Sequence, residues 1–248
     1  MIARIILLWG LALPLTLAAD PFTFEGTASD RNGDFLYTER HQVTGSCESG
    51  QWRPEQQQVA YVRDGDAGPF ATKTLAYTGS LLRPEVDFRQ PEFSERLVVR
   101  QAGDELSAEW TMADETAGNW RIPVTGRLVV DAGFDHLIRA SWSRLTAGDS
   151  VRFSILAPTR GESYDFIAEP APEPLEGADY SFRIRPQGMI MRVLVDPIRL
   201  GYSDEGFLTH YAGLGNIRRN QDENHTVTIR YRVVDAPDCA LLAPDQQG

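Results

Sequence analysis

The sequence predicts a mainly β protein: a strongly curved antiparallel sheet, a half-barrel or barrel-like meander, with one amphipathic helix packed on its concave side. Three observations lead there. Apolar and polar residues alternate along most of the chain, turn residues recur roughly every ten positions, and one segment switches to a helical period.

The alternating runs are Phe22 and Phe24; Phe35 and Tyr37; Leu106, Ala108 and Trp110; Val151, Phe153 and Ile155; Tyr180, Phe182 and Ile184; and Val227, Ile229, Tyr231 and Val233. Asn32-Gly33, Asp64-Gly65, Gly68-Pro69, Ala102-Gly103-Asp104, Pro186-Gln187-Gly188 and Asp204-Glu205-Gly206 separate the strands, since these residues accept turn dihedrals. On the order of a dozen strands result, more than an open sheet carries without curling. Between Asp131 and Gly148 the apolar residues Phe134, Leu137, Ile138, Trp142 and Leu145 fall on one helical face. Asp131 is expected to cap this helix, near 133–147, with Asp135 in its first turn, Arg144 in its last and Gly148 as the left-handed stop. Ala168 to Asp179, with Pro170, Pro172 and Pro174, reads as an extended surface loop. The strands after it are expected to complete the same sheet.

Residues 1–19 read as a secretory signal peptide: Arg4, an apolar run from Ile5 to Leu17, and Leu17-Ala18-Ala19 before Asp20. Residues 20–248 then form a single all-β domain in the periplasm or outside the cell, with no stable membrane span once the leader is removed. The net charge of -11 repels phosphate backbones, so no nucleic-acid partner is expected. An oxidising compartment allows Cys47 and Cys239 to pair as a disulfide, two unlinked thiols being the alternative.

No catalytic or cofactor motif stands out, and no cofactor or metal is expected. Cys47 lies six residues after His41, a spacing open to a thiol nucleophile and base, but disulfide formation explains the cysteine better. The four histidines are scattered without a zinc spacing. Asp64-Gly65-Asp66 resembles the opening of a calcium loop, yet Leu75 stands where the closing glutamate belongs, so a hairpin turn is expected. Gly213-Leu214-Gly215 reads as a flexible connection. Lys73, the only lysine, lies among threonines and is expected to face solvent, which removes most Schiff-base chemistry. Arg183, Arg185, Arg230 and Arg232 project from the polar side of two late strands; were these neighbours, they would form an anion patch, although cross-strand carboxylates are the favoured partners. Asn224-His225-Thr226 matches a glycosylation sequon that no other feature supports.

The leader, the long meander and the single helix resemble the half-barrel carriers of the bacterial lipoprotein-localisation family. The phrase Val129-Val130-Asp131-Ala132-Gly133-Phe134-Asp135, followed by Trp142 and Leu145, is similar to uncharacterised secreted bacterial proteins. The first resemblance implies an architecture and the second no known activity; neither carries a functional residue across. The leading expectation is a soluble binding or chaperone-like protein engaging an apolar ligand, lipid or envelope partner. Phe134, Leu137, Ile138, Trp142 and Leu145 would line its greasy pocket, or form a dry core. The alternatives are a secreted hydrolase with carboxylates paired only in space, and an outer-membrane barrel.

Overall fold

The computed structural model describes residues 21–113, 117–188 and 196–243; the expected leader and the last five residues lie outside these. The first arm of the molecule comprises β1 (Phe22–Ser29), β2 (Phe35–Glu48), β3 (Gln51–Val62), β4 (Ala71–Ala76), β5 (Glu85–Gln90), β6 (Glu95–Ala102), β7 (Glu105–Thr111) and β8 (Ala117–Pro123). After β9 (Leu128–Val129) come α1 (Gly133–Ala140) and α2 (Trp142–Thr146). The second arm continues through β10 (Val151–Ala157), β11 (Glu162–Pro170), β12 (Tyr180–Pro186), β13 (Ile198–Tyr202), β14 (Leu208–Arg218) and β15 (Asn224–Asp235).

All 15 strands join one sheet in the order β8-β7-β6-β5-β4-β3-β2-β1-β15-β14-β13-β12-β11-β10-β9. Neighbours are antiparallel except β9 and β10. The two halves of the chain thus meet at β1 and β15, where Gly26 opposes Tyr231 and Ala28 opposes Ile229. Period-two burial marks the inner face, as in β2, where Tyr37, Glu39 and Val43 are buried and Arg40 and Gln42 are exposed.

The helical segment shows how far the sheet curls. Gly133 lies so close to the β4–β5 connection that a Cβ on it would stand 2.1 Å from the Leu82 carbonyl oxygen. Trp142 meanwhile packs edge-on against Tyr180, Phe182 and Tyr202 of β12 and β13, with centroids 5.0, 5.5 and 5.6 Å away. One helical segment reaches both arms only if the sheet wraps around it. Ion pairing closes the curl elsewhere: Arg218 at the end of β14 meets Glu95 at the start of β6 at 3.0 Å, both buried, and the Arg218 amide donates to Gln90.

Two expectations about the helix change. It is broken at Ser141, whose φ of -116° leaves the helical range, giving two short helices. Asp131 does not cap it: Ala132 occupies the N-cap with no side-chain hydrogen bond, while the Asp131 carboxylate serves Lys73. Gly148 does adopt the left-handed stop, at φ 95°. Gly213-Leu214-Gly215 lies within β14, where Gly213 and Leu214 pair with β15 and Gly215 opens an irregularity in the register. Ala168 belongs to β11 and is fully buried, so the proline-rich connection begins only after Pro170.

The outer-membrane reading fails. The ladder is open, with β8 and β9 as its edges. Charge covers the outward face: Glu25 pairs with Arg40 and Arg232, and Asp87 with Arg89 and Arg96, where a membrane barrel presents an apolar girdle. Among the described residues no helix is long and apolar enough to cross a membrane.

Cys47 and Cys239 form a disulfide across a sequence separation of 192. It straps the chain after β15 over the β2–β3 hairpin, where the Trp52 amide donates to the Ala240 carbonyl at 2.8 Å. Leu241 packs with Phe22, Val43 and Trp52, and Leu242 with the helix cluster. So long a loop is costly to close in the unfolded chain, and the chain-entropy account gives the bond about 4 to 5 kcal/mol as an upper figure. The double variant Cys47→Ser/Cys239→Ser is expected to lose stability up to that amount in denaturant titration, and the native chain under reductant should match it. Equal midpoints with and without reductant would sink the assignment.

Candidate functional site

The five helical residues expected to line a pocket fall into two groups. Leu137, Ile138, Trp142 and Leu145 are 0–3 % exposed, packed with Phe166, Phe182, Ile184, Leu200 and Tyr202. A side chain beside a void that admits water shows accessible surface, so these four are core and leave no space for an acyl chain. Phe134 differs: it is half-buried and meets Tyr211 at 6.0 Å.

The anion patch does not form, because β13 and β14 separate β12 from β15. Arg183 and Arg185 both bind Glu169, Arg232 binds Glu25, and Arg230 meets His210 at 2.9 Å. The favoured carboxylate partners thus hold three of the four guanidinium groups. Cys47 and Cys239 hold one another, leaving no thiol nucleophile. Asp64-Gly65-Asp66 is a turn between β3 and β4, with Gly65 at φ 79°. Among the described residues no cluster of three metal-ligating side chains occurs.

Polar chemistry gathers instead on the inner wall of the first arm. Lys73 corrects the expectation of solvent exposure: it shares the inward phase of Ala71 and Leu75, is 5 % exposed, and places Nζ 2.7 Å from Asp131 Oδ1. The same oxygen accepts the Ala132 amide at 2.7 Å. Asp131 sits at φ 45°, a left-handed conformation costly for a residue with a side chain, and such strain concentrates at functional sites.

Beside this pair runs a hydrogen-bonded chain through three strands and the β4–β5 connection. Tyr231 of β15 donates to Glu39 Oε2 on β2 at 2.9 Å, and His41 Nε2 meets the same oxygen at 3.1 Å. Gln57 of β3 lies 2.9 Å from His41 Nδ1 through its amide nitrogen, and its Oε1 accepts the Tyr77 hydroxyl at 2.9 Å. His41 thus links Glu39 to Gln57 through its two ring nitrogens. Phe24 stacks on His41 at 4.2 Å.

Tyrosines complete the chamber. Burial first, then the charge of Glu39, pushes the Tyr37, Tyr61, Tyr211 and Tyr231 hydroxyls above the usual phenol range; Asp131 adds to the shift at Tyr61 and Tyr211. All therefore remain protonated donors at neutral pH. Although inward, His41, Tyr77, Tyr211, Tyr231 and Phe134 keep partial exposure, so solvent reaches them. Among the described residues Glu39 Oε1 and Asp131 Oδ2 accept no hydrogen bond: every contact of these carboxylates runs through the other oxygen. The arrangement offers two open acceptor atoms in an aromatic interior. Two hollows are present: a groove over β1–β4 lined by Phe24, His41 and Lys73 together with Thr23, Gln42, Gln58, Thr72 and Thr74, and a small cleft between Trp52, Arg53, His136, Arg139 and Leu241.

No protein-family model matches the chain, and no curated protein matches it. Among solved structures it is similar to a β-barrel-like protein. That structure is the DUF1849 domain of unknown function from Brucella abortus, matched over 90 % of this chain and 99 % of that one at 9 % identity with a TM-score of 0.42.

Two outcomes follow from these charges. Removing one partner of a buried ion pair strands the other, so Lys73→Met is expected to cost about 3–5 kcal/mol, while Lys73→Met/Asp131→Asn should recover most of it in a denaturant double-mutant cycle. His136, half-buried and edge-on to Tyr77 at 5.0 Å, is held well below the usual histidine range by burial and then by Arg139 and Arg53. His210 and His225 are lowered too, burial again leading. The unfolded chain then binds more protons than the folded one, so stability falls as pH drops below about 6.5. Asp87 and Glu169, lowered by their arginine partners, act only in the more acidic carboxylate range. The denaturation midpoint should be lower at pH 5.5 than at 7.5, and His136→Asn should narrow that gap; an unchanged gap would assign it elsewhere.

Proposed function

We propose that this chain is an exported binding protein, periplasmic or secreted, folded as a single domain around one curled sheet, that holds a small ligand in the chamber formed by Glu39, His41, Lys73, Asp131, Tyr211 and Tyr231. One observation carries the reading: the only lysine of the sequence points inward, paired with an aspartate in the left-handed conformation, among partly buried aromatic rings. A buried ion pair is a poor source of stability compared with apolar packing of the same volume, so its position beside the polar chain of this inner wall favours a binding role. Export is supported by the leader-like residues 1–19 and by a disulfide suited to an oxidising compartment. The packed helix stripe turns the ligand from a greasy one toward a small polar or amphipathic one, with Phe134 the one helical residue able to touch it. The carboxylates of this wall each hold protein partners: Glu39 engages Tyr231 and His41, Asp131 engages Lys73, and Asp135 engages Arg139.

Native mass spectrometry of the chain isolated gently from its own compartment is expected to show one retained small molecule per protein. Lysine-directed labelling reads the chamber directly, because Lys73 is the only lysine. Its modification should rise when that molecule is removed. A chain that retains nothing, and whose Lys73 never reacts in the folded state, would overturn the proposal.

A further inference from the structure

We infer that the small cleft between the start of β3, α1 and the disulfide-strapped tail binds a small organic anion, a carboxylate carried on a short apolar body. It shares no lining residue with the chamber proposed above and stands independently of it.

Four parts of the fold build the cleft. Trp52 and Arg53 come from β3, His136 and Arg139 from α1, Leu81 from the β4–β5 connection and Leu241 from the tail. The Cys47–Cys239 bond, with the Trp52 amide on the Ala240 carbonyl, holds the tail in place as a wall. The space measures ≈ 260 Å³, below the range of pockets that take drug-sized molecules, so the occupant is small.

Charge selects its class. The chain carries a net charge of -11, yet among the described residues no carboxylate lines this cleft, whereas two guanidinium groups do. Both are felt at His136, between burial and which the imidazole is kept from charging. Arg53 reaches Glu48 at 3.1 Å in a pair exposed on both sides; such a pair is worth little, and Arg53 is free to turn to a ligand. Arg139 is anchored by Asp135, which also accepts the Tyr202 hydroxyl and stands off the lining. Trp52 adds a neutral donor: it is 6 % exposed, and its buried indole N–H has no hydrogen-bond partner among the described residues. A buried N–H left unpaired is unfavourable, and an acceptor on a ligand removes that penalty. Carboxylate oxygens only accept and match the guanidinium fork, while a cation would meet two like charges. Leu81, Leu241 and the indole supply apolar contact, which favours an organic acid over a bare inorganic anion.

Benzoate, benzamide and benzylammonium, alike in size, test this by NMR titration at pH 7.5, with inorganic phosphate beside them. Benzoate is expected to bind at least tenfold more tightly than benzamide or phosphate, and benzylammonium not at all. His136 reports the place: its ring signals, assigned by their loss in His136→Asn, should shift on adding benzoate, and those of the other three histidines should not. Arg53→Gln should remove at least fivefold of the benzoate affinity and leave that for benzamide unchanged. Glu48→Gln should raise benzoate affinity, because it frees Arg53 of its competitor. Both side chains are exposed, so neither variant threatens the fold. Absence of benzoate binding, equal binding of benzamide or phosphate, unmoved His136 signals, or undiminished affinity in Arg53→Gln each overturns the inference. None of these results touches the inner-wall chamber, which Lys73 labelling reads separately.

Discussion

Thr23 to Ser29 lie hydrogen-bonded along Thr228 to Asp235, so the first and last strands are neighbours, and the rest of the architecture hangs from that seam. From it the meander spreads through β2 to β8 on one side and through β14 to β9 on the other. Each step between strands is local and cheap; the seam joins positions about two hundred residues apart and carries a loop-closure cost that no hairpin shares. The Cys47–Cys239 bond lies close to the seam and offsets part of that cost in the unfolded chain. The tail it anchors also supplies Leu241, which plugs apolar surface at the ends of β1 to β3, and Leu242, which joins the helix cluster.

Apolar burial makes the sheet curl but does not say by how much, because it is nearly indifferent to direction. Directional contacts set the closure. Lys73 of β4 reaches Asp131 just before the helix, and Glu95 of β6 reaches Arg218 of β14, each pair joining elements remote along the sheet. The two pairs differ in kind. Glu95 also accepts Trp110 Nε1 at 2.9 Å, and the guanidinium of Arg218 lies over the same indole and donates to the Gln221 carbonyl, so that cluster is turned wholly toward the protein. The Lys73–Asp131 pair is less enclosed, with the Asp131 side chain 14 % accessible against 6 % for Glu95.

Most of the architecture is legible in the sequence because period-two alternation survives in nearly every strand, and a curled sheet follows from strand number. The helical period is legible for the same reason, although the break at Ser141 is not: the spacing of Leu137, Ile138, Trp142 and Leu145 records which face is apolar and carries no record of backbone dihedrals. More telling is Lys73. Thr72 and Thr74 suggest a wet strand, yet Ala71 and Leu75 share the phase of the lysine and place it inside; phase decides, and charge follows. Asp131 looks like a cap in local sequence and loses that role to an ammonium 58 positions away, whose burial demands a counter-charge. Glu39, Gln57, Tyr77 and Tyr231 make no motif. Strand register alone brings them together, and pairing partners cannot be counted off one chain.

The position of the chamber ties binding to folding. Tyr211 packs against both large apolar clusters, one built mainly by the first arm and the other by the second arm with its helix, and the polar residues lie along that border. A molecule seated there touches groups contributed by β2, β4, β14, β15 and the start of the helix, so its contacts exist only when both arms are closed. Binding to the closed form alone adds stability as the logarithm of ligand concentration over its dissociation constant. A ligand held as proposed would therefore be expected to stabilise the contact between the two arms, because the polar residues lie at the border between two cores and not within either.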